Sequence, residues 1–334
     1  MNILLLATGG TIGSTKSANG LAPKEQNELL LLQYYKEKYP NKAIHFDTKS
    51  LCSILSENAD DAFYEILFSY FSKADFTKYA GIILLHGTDT LSFTAPLLAM
   101  LFGYLQKPIC LVSSNHILEG KNANGLLNFH AAVRYIESGC LGFVVPYQNH
   151  DGRMLYHLAT RIMEADAFLD DFQSAQALPL AELKDNHICF LQDEKLPIQK
   201  AIKQKQYRKI ALTSFENEVL FLKLYPNFPF ELISLEDERI KAILFSAYHS
   251  GTAPQTELAA FIKRAKEKGI DVYLSPLKRD AMQYASTTAL LKAGVQPLYS
   301  MTNEAALAKL KLAYNQNDMS IEAFLQENLY FEEI

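Results

Sequence analysis

Gly81-Ile82-Ile83-Leu84-Leu85-His86-Gly87-Thr88-Asp89-Thr90 begins as an apolar run and ends on a hydroxyl-bearing glycine turn. The N-terminus repeats this arrangement, with apolar Ile3–Ala7 running into Thr8-Gly9-Gly10-Thr11-Ile12. A short continuous apolar run closed by a turn signal reads as a buried strand. Each threonine turn therefore stands where a buried strand ends. In open parallel sheets ligands gather just beyond the carboxyl ends of the strands. Two such turns predict one active site built around threonine.

Working outward, the N-terminal half alternates strand-like and helix-like segments. Strands are expected at Ile3–Ala7, Ala43–Leu51, Ile82–Leu85, Pro108–Ser113 and Gly142–Pro146. Helices are expected at Lys24–Tyr39, Asn58–Lys73, Ser92–Leu105 and Gly125–Ser138. This alternation implies an α/β fold with a doubly wound, mostly parallel sheet. Residues 1–182 are expected to form this larger domain and to carry the threonines. Residues 183–208 are polar, lysine-rich and broken by Pro197, and read as a connector with a short strand near His187–Leu191. Residues 209–334 are expected to form a smaller α/β domain. Its strands are placed at Lys209–Phe215, Lys241–Ser246 and Ile270–Ser275. Its helices are placed near Phe230–Leu235 and at Thr256–Lys268, Thr287–Gly294, Asn303–Asn315 and Ser320–Leu329. Continuing that last helix, Glu327-Asn328-Leu329-Tyr330-Phe331 looks like part of a protease-cleavage tag, but the tag consensus breaks at Glu332, and the segment is taken as native.

The chain has 334 residues, 49% of them hydrophobic, enough for a sizeable core. Its formal net charge of −5 gives no reason to expect nucleic acid or an anionic membrane as partner. The basic cluster Lys200, Lys203, Lys205, Arg208 and Lys209 reads as a solvated connector. No apolar stretch approaches the roughly 18 residues of a membrane span. The N-terminus lacks the basic region of a signal peptide. The four cysteines, Cys52, Cys110, Cys140 and Cys189, show neither metal spacing nor a CxxC pair. They read as reduced thiols, and the expected compartment is the cytoplasm. No metal cluster or dinucleotide fingerprint occurs, so no cofactor is expected.

Gly9 and Gly10 allow a sharp turn off the first strand, and backbone N–H groups there can point into a concave site. Thr11 is a poor nucleophile unless a base activates it. Asp89, directly after Thr88, is a carboxylate able to orient a hydroxyl or to accept from an amine. It also fits an N-cap for a helix starting near Leu91. Both readings stand on the sequence alone.

The two segments, each with its strand, resemble the paired signatures of the bacterial-type L-asparaginases, the asparaginase/glutaminase family. Ser56-Glu57-Asn58 resembles that family's substrate-binding turn, and Gly125–Ala132 the helix after the fourth strand. Tyr284–Val295 and Met301–Leu310 are similar to the C-terminal domain of the cytoplasmic type I branch. The resemblance implies that Thr11 attacks the side-chain amide of L-asparagine and forms an acyl-enzyme. Thr88 and Asp89, with a family lysine, would form a relay beside it. Ser56, Glu57 and Asp89 would bind the amino acid's α-groups. N–H groups near Gly10 and Thr88 would hold the oxyanion. It further implies a homodimer or homotetramer and, in many type I members, allosteric activation.

Three departures bear on activity. The best match to the relay lysine is Arg161, after Thr160, and arginine does not exchange its proton at neutral pH. No tyrosine occurs in the lid segment Gly13–Pro23, where Leu21 stands near the expected place. The loops Ser113-Ser114-Asn115-His116 and Tyr248–Pro254 differ from the family's. Expected function is therefore L-asparagine hydrolysis. The alternatives are the same chemistry on glutamine, an N-acyl or a D-amino acid, or an asparagine/aspartate-binding protein without turnover. The amidase component of a tRNA-dependent amidotransferase shares the signatures, but the sequence shows no basic tRNA-binding domain.

Overall fold

The computed structural model describes residues 1–10, 12, 14–17, 20–23, 27–118, 120, 122–191, 198–212 and 214–334. They separate into two units, Met1–Lys209 and Ile210–Ile334. Residues 183–208, expected as a connector, fall inside the first.

In the first unit the strands are β1 (Asn2–Gly9), β2 (Ser14–Ser17), β3 (Gly20–Pro23), β4 (His45–Ile54), β5 (Gly81–Leu85), β6 (Pro108–Val112), β7 (Gly142–Gln148), β8 (Met154–Leu158), β9 (Ala181–Lys184) and β10 (His187–Phe190). The helices are α1 (Asn27–Lys38), α2 (Asp61–Lys73), α3 (Thr88–Phe102), α4 (Gly125–Glu137) and α5 (Ile198–Gln204). The main sheet has the order β10-β9-β8-β7-β6-β5-β1-β4. Strands β4, β1, β5, β6 and β7 run parallel. Strands β8, β9 and β10 extend the sheet antiparallel. This is the doubly wound, mostly parallel sheet expected.

The central strands form because their apolar residues have layers to bury them on both faces. Every residue of β5 and β6 is buried. Each leucine or isoleucine so buried contributes roughly 1.5–3 kcal/mol. Helix α2 starts where Asp60 accepts from the Phe63 amide at 2.9 Å, and Phe63, Leu67 and Phe71 form its buried stripe.

Successive side chains of a strand point to opposite faces. Phe46 of β4 meets Tyr35 of α1 and Phe129 of α4, at 5.8 and 5.6 Å between ring centroids. Lys49, three residues on, lies 4.5 Å from the ring of Tyr70 in α2. Phe71 of α2 in turn packs on Phe102 of α3 at 5.2 Å. Thus α1 and α4 cover one face, and α2 and α3 the other. The β5-α3-β6 and β6-α4-β7 connections step the same way along the sheet but use opposite faces, so their hands differ. The connections through α1, α2 and α3 share one hand, and right-handedness is the strong rule. The α4 connection is left-handed. The chain therefore crosses the carboxyl edge of the sheet between β6 and α4.

In the second unit β11 (Glu218–Lys223), β12 (Ile240–Ser246), β13 (Asp271–Leu277) and β14 (Gln296–Tyr299) form a parallel four-stranded sheet. Its helices are α6 (Gln255–Glu267), α7 (Ala285–Ala293), α8 (Asn303–Asn315) and α9 (Ile321–Gln326). Phe230, Phe245, Phe261 and Leu274 lie in its core.

Several expected boundaries change. Helix α3 starts at Thr88, not Ser92. Among the described residues of 209–215 there is only an isolated bridge, from Leu212 to Gln316, and the strand is Glu218–Lys223. At Phe230–Leu232 there is a single 3₁₀ turn. Helix α9 stops at Gln326 because Glu332 accepts hydrogen bonds from the Leu329 and Tyr330 amides at 2.8 and 2.7 Å. Among the described residues no helix is long and apolar enough to cross a membrane.

Candidate active site

The carboxyl ends of four neighbouring strands are tied together. Ala7 of β1 stands level with Leu85 of β5, and Leu85 with Val112 of β6. The Thr8 hydroxyl donates to the Leu85 carbonyl at 2.8 Å. The Gly10 amide donates to the Ile54 carbonyl at 2.9 Å, and the His86 amide to the Val112 carbonyl at 2.9 Å. The Thr90 hydroxyl donates to the Ser56 carbonyl at 2.9 Å.

Glycine is required where these ends meet. Gly10 has φ +78, and a Cβ there would lie 2.4 Å from the Gly87 amide nitrogen. A Cβ on Gly87 would lie 2.3 Å from the Ser56 hydroxyl. Gly10, Gly87 and Ser56 are thus one packed cluster, contributed by three motifs far apart in sequence. The Ser56 hydroxyl also donates to Asp89 Oδ2 at 3.4 Å.

Gly87 caps α3 without a side chain, so no capping group competes for the N–H donors of its first turn. Those donors and the helix dipole make the Thr88 end of α3 suited to developing negative charge. Asp89 lies inside that first turn and is exposed, which removes the N-cap reading. The Gly10 N–H is committed to Ile54, so Gly10 offers the crevice close backbone approach rather than an oxyanion donor. Glu57 is exposed within the 3₁₀ turn Ser56–Asn58. Thr11 lies outside the described residues.

His86 is fully buried beneath this cluster, and burial pushes its pKa down to about 4. Its Nδ1 lies 2.7 Å from the Gly87 carbonyl, so the neutral ring carries its proton on Nδ1. Among the described residues its Nε2 has no partner.

The sequence model of the family described as "Asparaginase, N-terminal" matches residues 2–196. The chain belongs to the asparaginase family. It is 27% identical to a glutamyl-tRNA(Gln) amidotransferase subunit of Saccharolobus solfataricus, over 99% of this chain and 76% of that protein. It is 26% identical to the corresponding subunit of Thermococcus kodakarensis, over 95% of this chain and 72% of that protein. Among solved structures, L-asparaginase I from Vibrio cholerae aligns with TM-score 0.78 and 25% identity, over 100% of this chain and 99% of that one. The thermostable L-asparaginase from Thermococcus kodakarensis aligns over the same shares with TM-score 0.79 and 21% identity.

Among the expected asparaginase residues, Arg161 stands apart. Strand β8 runs back along β7, and its Leu158 is opposite Val144. The Ala159 amide donates to the Phe143 carbonyl at 3.1 Å, and the Arg161 amide to the Leu158 carbonyl at 2.9 Å. The Arg161 backbone therefore lies toward the amino-terminal half of β7. Thr88 and Asp89 leave the opposite, carboxyl end of β5. Among the described residues no ion pair joins Asp89, which meets Ser56, to Arg161.

Sequence reasoning passes over His157, within β8. The neighbouring Tyr156 hydroxyl donates to Ala131 of α4 at 2.9 Å, so His157 points to the other face, the one α3 covers. Its Nδ1 lies 2.8 Å from the Ser174 hydroxyl, and its Nε2 has no partner among the described residues. Burial pushes its pKa down to about 3. The signal available is Asp151-Gly152, a hairpin turn that sends the chain back along β7.

The loop after β6 is held by a reciprocal pair. Asn115 N donates to Asn124 Oδ1 at 3.0 Å, and Asn124 N to Asn115 Oδ1 at 3.1 Å. The second divergent loop, in the other unit, closes with Tyr248 N donating to the Thr252 carbonyl at 2.9 Å. Among the described residues no group of three or more His, Cys, Asp or Glu is arranged to hold a metal ion.

Proposed function

We propose that this chain is an amidohydrolase converting L-asparagine to L-aspartate and ammonia through a threonine acyl-enzyme. The observation that carries this reading is the packed cluster of Gly10, Gly87 and Ser56, with Asp89 beside it. It joins the two threonine turns and the Ser56-Glu57 turn at one crevice of an asparaginase-family domain. In this proposal Thr11, directly after Gly10, attacks the amide carbon. Thr88 and Asp89 relay its proton, and the first turn of α3 holds the oxyanion. Ser56, Glu57 and Asp89 take the α-carboxylate and α-ammonium, matching hydroxyl to anion and carboxylate to cation. Arg161 as relay cation has the least support, because its backbone follows β8, three strands from β5, toward the amino-terminal half of β7. We place the protein in the cytoplasm as a homodimer or homotetramer. The cysteines, all free, fit a reducing compartment.

The test is ammonia release from L-asparagine by the purified protein, abolished in Thr11→Ala. No ammonia over a wide range of pH and substrate concentration would sink the reading.

A second reading takes this fold as the ammonia-generating component of an amidotransferase. Its support is the likeness to the Saccharolobus amidotransferase protein along 99% of this chain. Glutamine hydrolysis that rises on addition of a glutamylated tRNA and a partner protein favours it. Full asparagine turnover by the isolated chain favours the first reading.

A further inference from the structure

Strand β4 is an edge of the main sheet, and among the described residues its outer side pairs with no strand. It is ten residues long, and His45, Asp47 to Ser50 and Ser53 are exposed. An edge of this length presents a row of N–H and C=O groups on which another strand can form. Its register against β1 is regular from His45 to Ser50 and shifts only beyond.

The pairing with β1 fixes which groups point outward. His45 stands opposite Asn2, and its amide donates to the Met1 carbonyl at 2.9 Å. Along a strand the N–H and C=O of one residue face one neighbour, and those of the next residue face the other. His45, Asp47 and Lys49 therefore bond to β1, while Phe46, Thr48 and Ser50 turn their groups outward.

A second copy of β4, antiparallel about a two-fold axis normal to the sheet, pairs these outward groups in few registers. Centred on Asp47 or on Lys49, it sets like charges face to face, which is destabilising. Centred on Phe46 or on Ser50, it runs off the regular stretch. Centred on Thr48, threonine meets threonine, Phe46 meets Ser50, and Asp47 meets Lys49 on both sides of the axis. Those charged positions are the non-hydrogen-bonded ones, where facing side chains lie closest. Lys78 and the Tyr79 hydroxyl both donate to Asp47 Oδ2 at 2.9 Å. Oδ1 is left for a second cation. Lys49 rests on the Tyr70 ring and, among the described residues, has no ion-pair partner.

Helix α2, on the face that bears Asp47 and Lys49, repeats the pattern. Glu65, Ile66, Ser69, Tyr70 and Lys73 form one stripe of it and line an open groove of about 960 Å³ beside Lys49 and Leu51. Glu65 and Lys73 stand four residues either side of Ser69. The axis that turns β4 antiparallel to its copy does the same to α2, and antiparallel copies of this stripe set Glu65 against Lys73. A two-fold interface requires such self-complementarity.

We propose that β4 pairs antiparallel with β4 of a second copy of this chain, about an axis at Thr48, joining the two eight-stranded sheets into one. The inference does not rest on the amidohydrolase reading.

Sedimentation equilibrium of the whole chain, over a wide range of concentration, tests it. Thr48→Pro removes an outward N–H from each copy at the axis and leaves the ladder to β1 intact, as proline on an edge strand does. It should halve the mass of the assembly. Lys49→Glu opposes carboxylate to carboxylate across the axis, and Asp47→Lys opposes ammonium to ammonium. Each alone should raise the Kd of pairing by about tenfold or more. Mixed in equal amounts, the two variants are complementary at both charged positions, and the mass should return. An unchanged mass in Thr48→Pro, or no recovery in the mixture, overturns the proposal. A monomeric wild-type chain also overturns it, leaving the edge blunted by Lys49 or open to a strand of another protein. If Thr48→Pro does not fold, the charge mixture alone decides.

Discussion

Gly10 and Gly87 meet backbone to backbone, so that a Cβ on Gly10 would lie 2.4 Å from the Gly87 nitrogen and 2.5 Å from its Cα. The contact joins the end of β1 to the start of α3 with no side chain between. Gly10→Ala meets both an unyielding backbone and a left-handed φ, which alone costs roughly 1–2 kcal/mol. It should lower the melting temperature by several degrees and reduce kcat/KM by about a hundredfold or more. Gly87→Ala meets instead Ser56, 2.3 Å from its Oγ and 2.5 Å from its Cβ; rotation moves only the Oγ, so the Ser56 turn itself must shift. It should keep the fold and act mainly by raising KM. Thermal melts and steady-state kinetics on both variants check this, and equal effects would count against the cluster.

The parts legible in sequence are those where local signal and tertiary role coincide. Ile82–Leu85 reads as a buried strand because it is buried on both faces, and Gly87 reads as a turn because nothing larger fits over Ser56. The Thr8, Ser56 and His86 segments are recognisable one by one. Their convergence depends on β1 lying between β4 and β5, which no local pattern encodes. The antiparallel return through β8 is hidden because Met154–Leu158 places a histidine in a fully buried strand. Without that return, Arg161 reads as a member of the relay. Glu218–Lys223 competes in the sequence with the similarly apolar Lys209–Phe215, of which Ile210, Leu212 and Phe215 are buried and, among the described residues, only Leu212 makes a bridge.

Replacing Arg161 with lysine separates the two placements of that residue. The register of β8 puts its backbone away from the end of β5 that bears Asp89. Arg161→Lys should therefore leave kcat and KM within about twofold, the size expected for a residue outside the reacting groups. A rise in kcat of about tenfold or more would put position 161 in the relay in spite of the register.

Acid should destabilise the first unit through two buried histidines. His86 and His157 are held at about 4 and about 3, against an ordinary value of 6.5. Between 6.5 and those values the unfolded chain binds protons that the folded one refuses, so stability falls as pH drops through that window. Above it these two rings add no slope. His150 has the opposite sign: its bond to Asp171 raises its pKa, so its contribution is complete below 6.5 and is lost as pH rises through the raised value. Its ring is largely exposed, and the two buried rings should dominate. Urea midpoints against pH check the slope. Ring resonances of His86 or His157 titrating near 6.5 would contradict it.

The tag-like segment Glu327–Phe331 makes a contribution to stability that composition does not suggest. Lys309 of α8 pairs with Glu332 at 3.0 Å, and neither side chain has any exposure. The Lys309 ammonium also donates to the Glu327 carbonyl at 2.6 Å, while the Glu332 carboxylate accepts the Leu329 and Tyr330 amides. The pair thus fastens residues 327–332 onto α8, with Tyr330 buried. Removing one partner leaves a buried charge uncompensated, which costs about 3–5 kcal/mol. Glu332→Ala should show that loss in urea denaturation, since it also strands two backbone donors. The double variant Lys309→Met/Glu332→Gln removes both charges and keeps an acceptor for those donors. It should recover a substantial part of the loss. Exposed Lys268 and Glu236, 2.8 Å apart, give the contrast: breaking that pair should cost about 1 kcal/mol or less. A Glu332→Ala effect as small as that of the exposed pair would show that residues 327–332 are held to α8 by apolar packing alone.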